Sequence, residues 1–434
     1  MIVVVLLHLA SSQLLAAQGD ALPEHARGLV TAAIQQLLRT EYVFDSTGER
    51  CADELGRMAN ADPRWRGLSS RQTYASYVGK ALAGCANDAH LSIEVPAAAA
   101  RGTSVAEAST RSLAEALRLR NFDAPMAARL PGNVGYLELR SFPPVEMAGE
   151  TVAAAMTFLA NTDAMIIDLR RNSGGTGDMV RFLASWFFDS QVTLLNTFRR
   201  ADRSLTPERT LPYVPGKRRP RSPLFVLTSR GTFSAAEAFA FGLQQLERAT
   251  IVGERTRGGA NAGRYRAIGE GMQLFVPQAN ARAANSEKTW ERVGVVPNIA
   301  ASDTDALSVA HAAAVAVLLD SARSDPIRAR ELRWTLERLN SERAGVSIDE
   351  PTCRRLARAF EGDRLIRCRG NRLWYSRGGT AERSLAPLSA TRFMIDGVDD
   401  AVLELTQTDG RWALTVSAAD GTVETANEAA PPER

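Results

Sequence analysis

The stretch Pro223-Leu224-Phe225-Val226-Leu227-Thr228, followed shortly by Gly231-Thr232-Phe233-Ser234-Ala235-Ala236-Glu237, decides how this chain is read. Its first half is a short apolar run bounded by turn formers, which reads as a buried strand. Its second half opens into Ala235 to Leu246, rich in Ala, Phe, Leu and Gln with no breaker until Gly242, which reads as a helix. A strand that turns directly into a helix is the unit of an α/β core, and Ser234 stands at the junction. A serine there lies beside unsatisfied backbone N–H groups and the positive end of a helix dipole, both useful to a developing oxyanion. Ser234 with Glu237 three residues later also fits a capping box, the commoner meaning of such a pattern.

Moving outward, the same texture extends from Asn133. Val134 to Leu139 alternates like a strand, Glu150 to Leu159 reads as a helix, and Ala164 to Leu169 as a buried strand. Glycine turns, a helix over Met179 to Phe187, the Ser234 unit and an apolar helix over Ala306 to Leu319 complete an α/β core expected over 131–324. Before it, residues 20–96 read as a helical domain, with Ala26 to Arg39 and Ser70 to Ala83 repeating apolar residues at helical spacing. Residues 97–130 read as a linker, Ala-rich and unpatterned from Ala97 to Ser109. From Asp325 the chain is Arg-rich, then gives short strand patterns at Arg372–Tyr375, Val402–Leu405 and Arg411–Val416. These imply a small β-rich domain over 325–423 and a disordered tail over 424–434.

A length of 434 residues suggests two or three domains, and an apolar share of 45% is ordinary for a globular protein. The formal net charge of +3 is small, and the densest basic cluster, Lys217 to Arg221, has no interleaved aromatics. It reads as a solvated loop, so no nucleic-acid partner is expected. Ile2 to Ala17 is apolar and ends in small residues, too short for a membrane span of roughly 20 residues. It fits a signal peptide over 1–17, although no Lys or Arg precedes it, so export without stable membrane insertion is expected. Cys51 with Cys85, and Cys353 with Cys368, is the simplest of the three pairings that four cysteines allow. No pair shows close ligand spacing, so no metal is expected.

A serine nucleophile needs a base, an orienter and oxyanion donors. His8 falls in the presumed signal, His25 near the mature N-terminus, and His311 within an apolar helix where a structural role fits. His90 remains, in the polar turn Asn87-Asp88-Ala89-His90 leading into a strand-like run, and is the candidate base. The turn Arg170 to Gly175 follows a buried strand, and its paired glycines let backbone N–H groups face a ligand. Gly258-Gly259 forms a second such loop, and Trp290 to Pro297 presents one acid, Glu291, in a tight glycine–proline setting.

Taken in order, these segments resemble the tail-specific (C-terminal-processing) serine proteases. They are most similar to the branch shared by tricorn protease cores and the repeats of interphotoreceptor retinoid-binding protein. The resemblance covers about residues 25–320 and implies a crotonase-like core. It implies Ser234 as nucleophile, His90 as general base, Glu291 as the acid that helps orient the histidine, and the amides of Ala235 and of Gly174 or Gly175 as oxyanion hole. Three departures stand out. Gly258-Gly259 occupies the loop where a Ser/Lys dyad would place its lysine. Residues 96–132 are too few for the PDZ domain that usually precedes the core. Ala89 replaces the relay serine before the histidine, which makes Asp88 a candidate substitute orienter. The expected function is hydrolysis of exported or periplasmic polypeptides, with peptides or unfolded chains as partners and no cofactor. The alternatives are a non-catalytic binder of apolar ligands on the same scaffold and an esterase or amidase.

Overall fold

A computed structural model describes residues 20–96 and 113–429. The signal-peptide reading, the first half of the expected linker and the last residues of the tail lie outside the described residues. Among the described residues three helices come first: α1 (Glu24–Glu41), α2 (Asp45–Ala61) and α3 (Arg71–Ala86). Val30, Ile34 and Leu38 recur at i, i+4 along α1 and pack with Leu55 of α2 and Val78 and Leu82 of α3. Ser70 caps α3, its hydroxyl accepting from Thr73 N at 3.2 Å.

Next come β1 (Ile93–Glu94), β2 (Met126–Leu130), β3 (Val134–Glu138), α4 (Val145–Phe158), β4 (Ala164–Asp168) and α5 (Gly177–Ala184). Then follow β5 (Thr193–Arg199), β6 (Leu205–Arg209), β7 (Leu224–Thr228), α6 (Ala235–Gln245) and β8 (Thr250–Gly253). The core ends with β9 (Asn261–Gly269), β10 (Met272–Ala283), β11 (Ile299–Ala300) and α7 (Ala306–Ser321).

The main sheet runs β11-β8-β7-β4-β3-β2, parallel except where β2 joins antiparallel at the edge. Strands β4 and β7 are buried at every residue. That is why they read as unbroken apolar runs: alternate residues feed two cores. Ile167 and Val226 point to one core with Met156 of α4, Leu183 of α5 and Phe239 of α6. Ile166 and Phe225 point to the other, with Ala310 and Ala314 of α7. A second sheet, β1-β10-β5-β6 with β9 on β10, stands beside the first. Its Ile268, Leu274 and Val276 complete the core of the N-terminal helices.

The chain continues through α8 (Pro326–Arg343) and α9 (Glu350–Leu356) into eight strands: β12 (Ala359–Phe360), β13 (Arg364–Arg369), β14 (Arg372–Arg377), β15 (Arg383–Pro387), β16 (Arg392–Ile395), β17 (Ala401–Thr408), β18 (Arg411–Ala418) and β19 (Val423–Asn427). They form an antiparallel meander whose ends nearly close through a bridge between Phe360 and Glu428.

The boundaries differ from the sequence reading in three places. β2, inside the stretch read as linker, pairs with β3 through five residues. Residues 326–343, read as the charged start of the β-rich part, form a helix whose Leu332 and Leu339 complete the α7 side of the core. The tail expected to be disordered from 424 continues β19 against β18, with Ala426 buried. In each case an edge strand or a sparsely apolar helix gains order from a neighbour rather than from its own pattern.

The four cysteines form two pairs, Cys51–Cys85 and Cys353–Cys368, with Cα separations of 5.8 and 5.5 Å. Among the described residues, no helix is long and apolar enough to cross a membrane.

Candidate active site

Ser234 lies where β7 gives way to α6, at the carboxyl ends of the parallel strands, the usual location for sites in open α/β sheets. The turn is lashed to the one after β4. Thr232 Oγ1 donates to Leu169 O at 2.8 Å, Ser229 Oγ to Arg170 O at 2.6 Å, and Phe233 N to Asn172 O at 3.1 Å. So held, Ser234 takes φ 54° and ψ −118°, a positive φ that costs a residue with a Cβ about 1–3 kcal/mol. Glu237 supplies the glutamate half of the capping box, accepting from Ser234 N at 2.8 Å. The Ser234 hydroxyl meets His90, with 3.0 Å between Oγ and Nε2.

His90 comes from outside the main sheet. Asn87 ends α3 in the left-handed conformation (φ 49°), which short polar residues tolerate, and the chain then turns through Asp88 into β1. The imidazole packs against two rings, Phe233 at 4.4 Å and Phe275 at 5.8 Å between centroids. Its Nδ1 stands 3.4 Å from Asp88 Oδ1, close enough for charge but poorly aligned for a hydrogen bond. Asp88 is itself fixed, accepting from His90 N at 2.9 Å, Tyr42 OH at 3.0 Å and Asn261 Nδ2 at 2.8 Å. Burial pushes its carboxyl up, but the hydrogen bonds and charge around it, His90 foremost, outweigh burial and hold it below the usual range.

Glu291 occupies a different place from the one the resemblance implies. No hydrogen bond or ion pair joins it to His90 among the described residues. One oxygen accepts from Ala260 N at 2.6 Å, and the other is buried without a partner. Burial, then the negative charge of Asp88, push its carboxyl up to about 7. Around it, Trp290 Nε1 donates to Gly259 O at 2.8 Å and Arg292 Nη2 to Ala86 O at 2.8 Å. Residues 290–292 thus brace the 258–260 loop against the end of α3.

The two glycines of the first loop separate. Gly174 N donates to Asn172 Oδ1 at 2.9 Å, so its hydrogen is already taken. The N–H groups of Gly175 and of Ala235, at the first turn of α6, have no acceptor among the described residues, and both line the cleft that exposes Ser234. A Cβ on Gly175 would run into the Phe142 carbonyl. Of the two expected glycine amides, that of Gly174 is engaged and that of Gly175 has no acceptor among the described residues.

The sequence reading gave Glu237 only a capping role. Fully buried, it also accepts from Thr256 Oγ1 and from the amides of Gly258 (2.6 Å) and Gly259 (2.8 Å). One carboxylate thus ties the serine turn to the glycine loop; burial still pushes its pKa up against these four donors. Its only sequence signal was its place three residues after the serine. Gly259 in turn touches the histidine: a Cβ there would come within 2.6 Å of His90 Cε1 and also strike Phe233. His25 is exposed, and His311 is buried with Nε2 2.8 Å from Pro131 O, so neither belongs to the site.

A cleft of about 400 Å³ opens over Ser234, bounded by Gly175, Ala235, Gly259, Trp290 and the facing strands β5 and β10. A strand–turn–helix serine beside a histidine, with free amides opening on a cleft, defines an arrangement suited to acyl transfer. Residues 133–301 match the model of Peptidase family S41. The match begins after Asp88 and His90. A carboxyl-terminal-processing protease of Synechocystis sp. is 34% identical over 143 residues, 31% of this chain and 31% of its own. The chloroplastic carboxyl-terminal-processing peptidase 3 of Arabidopsis thaliana is 29% identical over 167 residues, 38% of this chain and 31% of its own. The alignments thus span about a third of the length of these curated relatives. Among solved structures, the photosystem II D1 C-terminal processing protease aligns over 64% of this chain and 93% of its own, with 16% identity and a TM-score of 0.41.

Proposed function

We propose that the chain is a serine peptidase in which Ser234 attacks the scissile carbonyl and His90 takes the serine proton through Nε2. Asp88 holds the imidazole by charge and by fixing the His90 backbone, taking the orienting role that the resemblance implied for Glu291. The tetrahedral oxyanion rests on the amides of Gly175 and Ala235. His90 returns its proton to the leaving amine, and water resolves the acyl-enzyme by the same route. The observation that carries this reading is the 3.0 Å Oγ–Nε2 approach at a serine held with positive φ. Glu291 acts instead as a brace for the glycine loop. Polypeptides are the substrates, and the paired cysteines support an exported, oxidising setting with residues 1–17 as signal peptide. Hydrolysis needs no cofactor in this scheme.

The test is labelling by a fluorophosphonate probe, followed by hydrolysis of unfolded protein. The intact chain should label and cleave, while Ser234→Ala and His90→Ala should do neither. Labelling that persists in Ser234→Ala overturns the assignment.

A further inference from the structure

Just before β2, Asn121, Phe122 and Asp123 all take positive φ (50°, 52° and 59°), the one run of three such residues without a glycine among the described residues. Phe122, with ψ 38°, lies in the left-handed helical region, where a bulky L residue is out of place and which even Asn and Asp visit singly. Such strain persists only where the surroundings over-determine it. Here Asp123 N donates to Arg120 O at 3.1 Å, Ala124 N to Asn121 O at 3.1 Å, and Asn121 Nδ2 to Ala124 O at 2.9 Å. Phe122 packs against the core shared by α4, α5 and α6.

The turn delivers Asp123, buried, to residues 140 and 141. Its carbonyl accepts from Arg140 N at 2.8 Å and its carboxylate from Ser141 Oγ, while Arg120 Nε holds the other carboxylate oxygen at 2.8 Å. The next residue, Phe142, shapes the loop of Gly174 and Gly175. Phe142 N donates to Gly174 O at 2.8 Å and Phe142 O accepts from Thr176 N at 2.7 Å, so its backbone brackets Gly175. The same carbonyl stands 1.9 Å from where a Gly175 Cβ would be. The Phe142 ring, fully buried, meets Phe239 at 5.9 Å between centroids, on the helix whose first turn carries the Ala235 amide. Phe142 thus touches the supports of both free amides, and Asp123 fixes the segment that leads into it.

We propose that Asp123 is a positioning residue for the oxyanion hole, acting through Ser141 and Phe142 on the Gly175 amide, an inference that rests on the Ser234 chemistry proposed above. Asp123 does not line the cleft, so it acts only through these neighbours. A glycine amide has no side chain of its own to aim it, and its direction must come from what packs against it. That direction matters, because a donor serves only within about 3 Å of where the oxyanion forms. A misplacement of about 1 Å can cost on the order of a hundredfold in rate.

The experiment compares two variants of the full chain on a quenched fluorescent peptide that the parent cuts. Asp123→Gly keeps the positive φ at no steric cost and removes the carboxylate, and Ser141→Ala removes only its hydroxyl partner. The oxyanion forms only on the way to the acyl-enzyme, so a badly aimed amide lowers kcat rather than raising KM. In each variant kcat should fall roughly tenfold or more while KM stays within about twofold. A peptide aldehyde, whose adduct with Ser234 carries the oxyanion, should weaken by the same factor. The matching peptide alcohol, which forms no adduct, should bind as it does to the parent. The double variant should lose no more than either single one, because both cut the same link. Asp123→Asn still accepts from Ser141 and tolerates the left-handed turn, so it should restore most of kcat. Unchanged kcat in both variants, losses confined to KM, or losses that multiply in the double variant overturn the proposal. Should Asp123→Gly fail to fold, Ser141→Ala decides by the same kcat and aldehyde readings. All of these differ from failure of the peptidase reading, in which the parent cuts no peptide and Ser234 does not react with phosphonate.

Discussion

At the scale of single residues, the site is defined as much by what is missing as by what is present. Gly259 has no side chain because His90 and Phe233 fill the space where one would begin. Any side chain at Gly259, a lysine included, would therefore collide with His90 in its place beside Ser234. Gly259→Ala should push the imidazole aside and slow phosphonate labelling on the order of a hundredfold, while the melting curve stays cooperative. Labelling at the parental rate would show that His90 is not held by this packing. The serine was legible in the sequence because it sits on a sharp strand-to-helix turn, and the histidine because only four exist in the chain. Which acid serves the histidine was not legible. Asp88 and Glu291 are separated by their partners, and spacing says nothing of those.

The two acids titrate in opposite senses, which separates them in solution. Glu291 keeps its proton to about pH 7 because its burial and the nearby Asp88 charge penalise the anion. Its folded value lies above its unfolded one. The stability it contributes is therefore fully present below the ordinary carboxylate range and is lost as pH rises through about 7, a span worth up to about 3 kcal/mol. Asp88 is shifted down, so its contribution is present above the ordinary range and lost on acidification. The melting temperature of Glu291→Gln relative to the parent should accordingly climb between pH 5 and 8. A difference that is flat across that range would exclude an ionisable Glu291 in this environment.

At the scale of elements, the strands that the sequence revealed most clearly are those buried on both faces. Strands β4 and β7 are apolar at nearly every position because two cores claim alternate residues. Strands β9 and β10 escaped notice for the opposite reason. The residues they give to the cleft, Asn261, Ala262, Ala279 and Ala281, are small or polar and carry no apolar signal, although Met272, Leu274 and Val276 alternate into the N-terminal core. Helix α8 shows the same physics. Of its eighteen residues only a narrow stripe is buried, so its Arg-rich composition masked it, although Asp325 accepts from Arg328 N at 3.0 Å as a cap and Pro326 opens the first turn.

At the scale of the whole molecule, the histidine reaches the serine only because the N-terminal helices dock on the β9–β10 hairpin. The Cys51–Cys85 bridge joins α2 to α3 five residues before His90, closing a loop with a sequence separation of 34. In the chain-entropy model such a closure is worth about 4 kcal/mol. Exposure to dithiothreitol should lower the melting temperature and reduce phosphonate labelling together, and Cys51→Ser/Cys85→Ser should reproduce both effects. If labelling is unaffected at a temperature where the reduced protein is still folded, the bridge does not serve the histidine.

The turn that carries His90 and the strained turn at Ser234 belong to different hydrophobic cores, the two residues lying 144 apart along the chain. Synthesis therefore delivers the proton acceptor first and the hydroxyl much later, and neither core alone holds both. On the chemistry proposed for Ser234, this division amounts to a safety catch. A chain whose helices are not yet seated on the hairpin would hold the serine without its base, and competence would wait on the contact between the two cores.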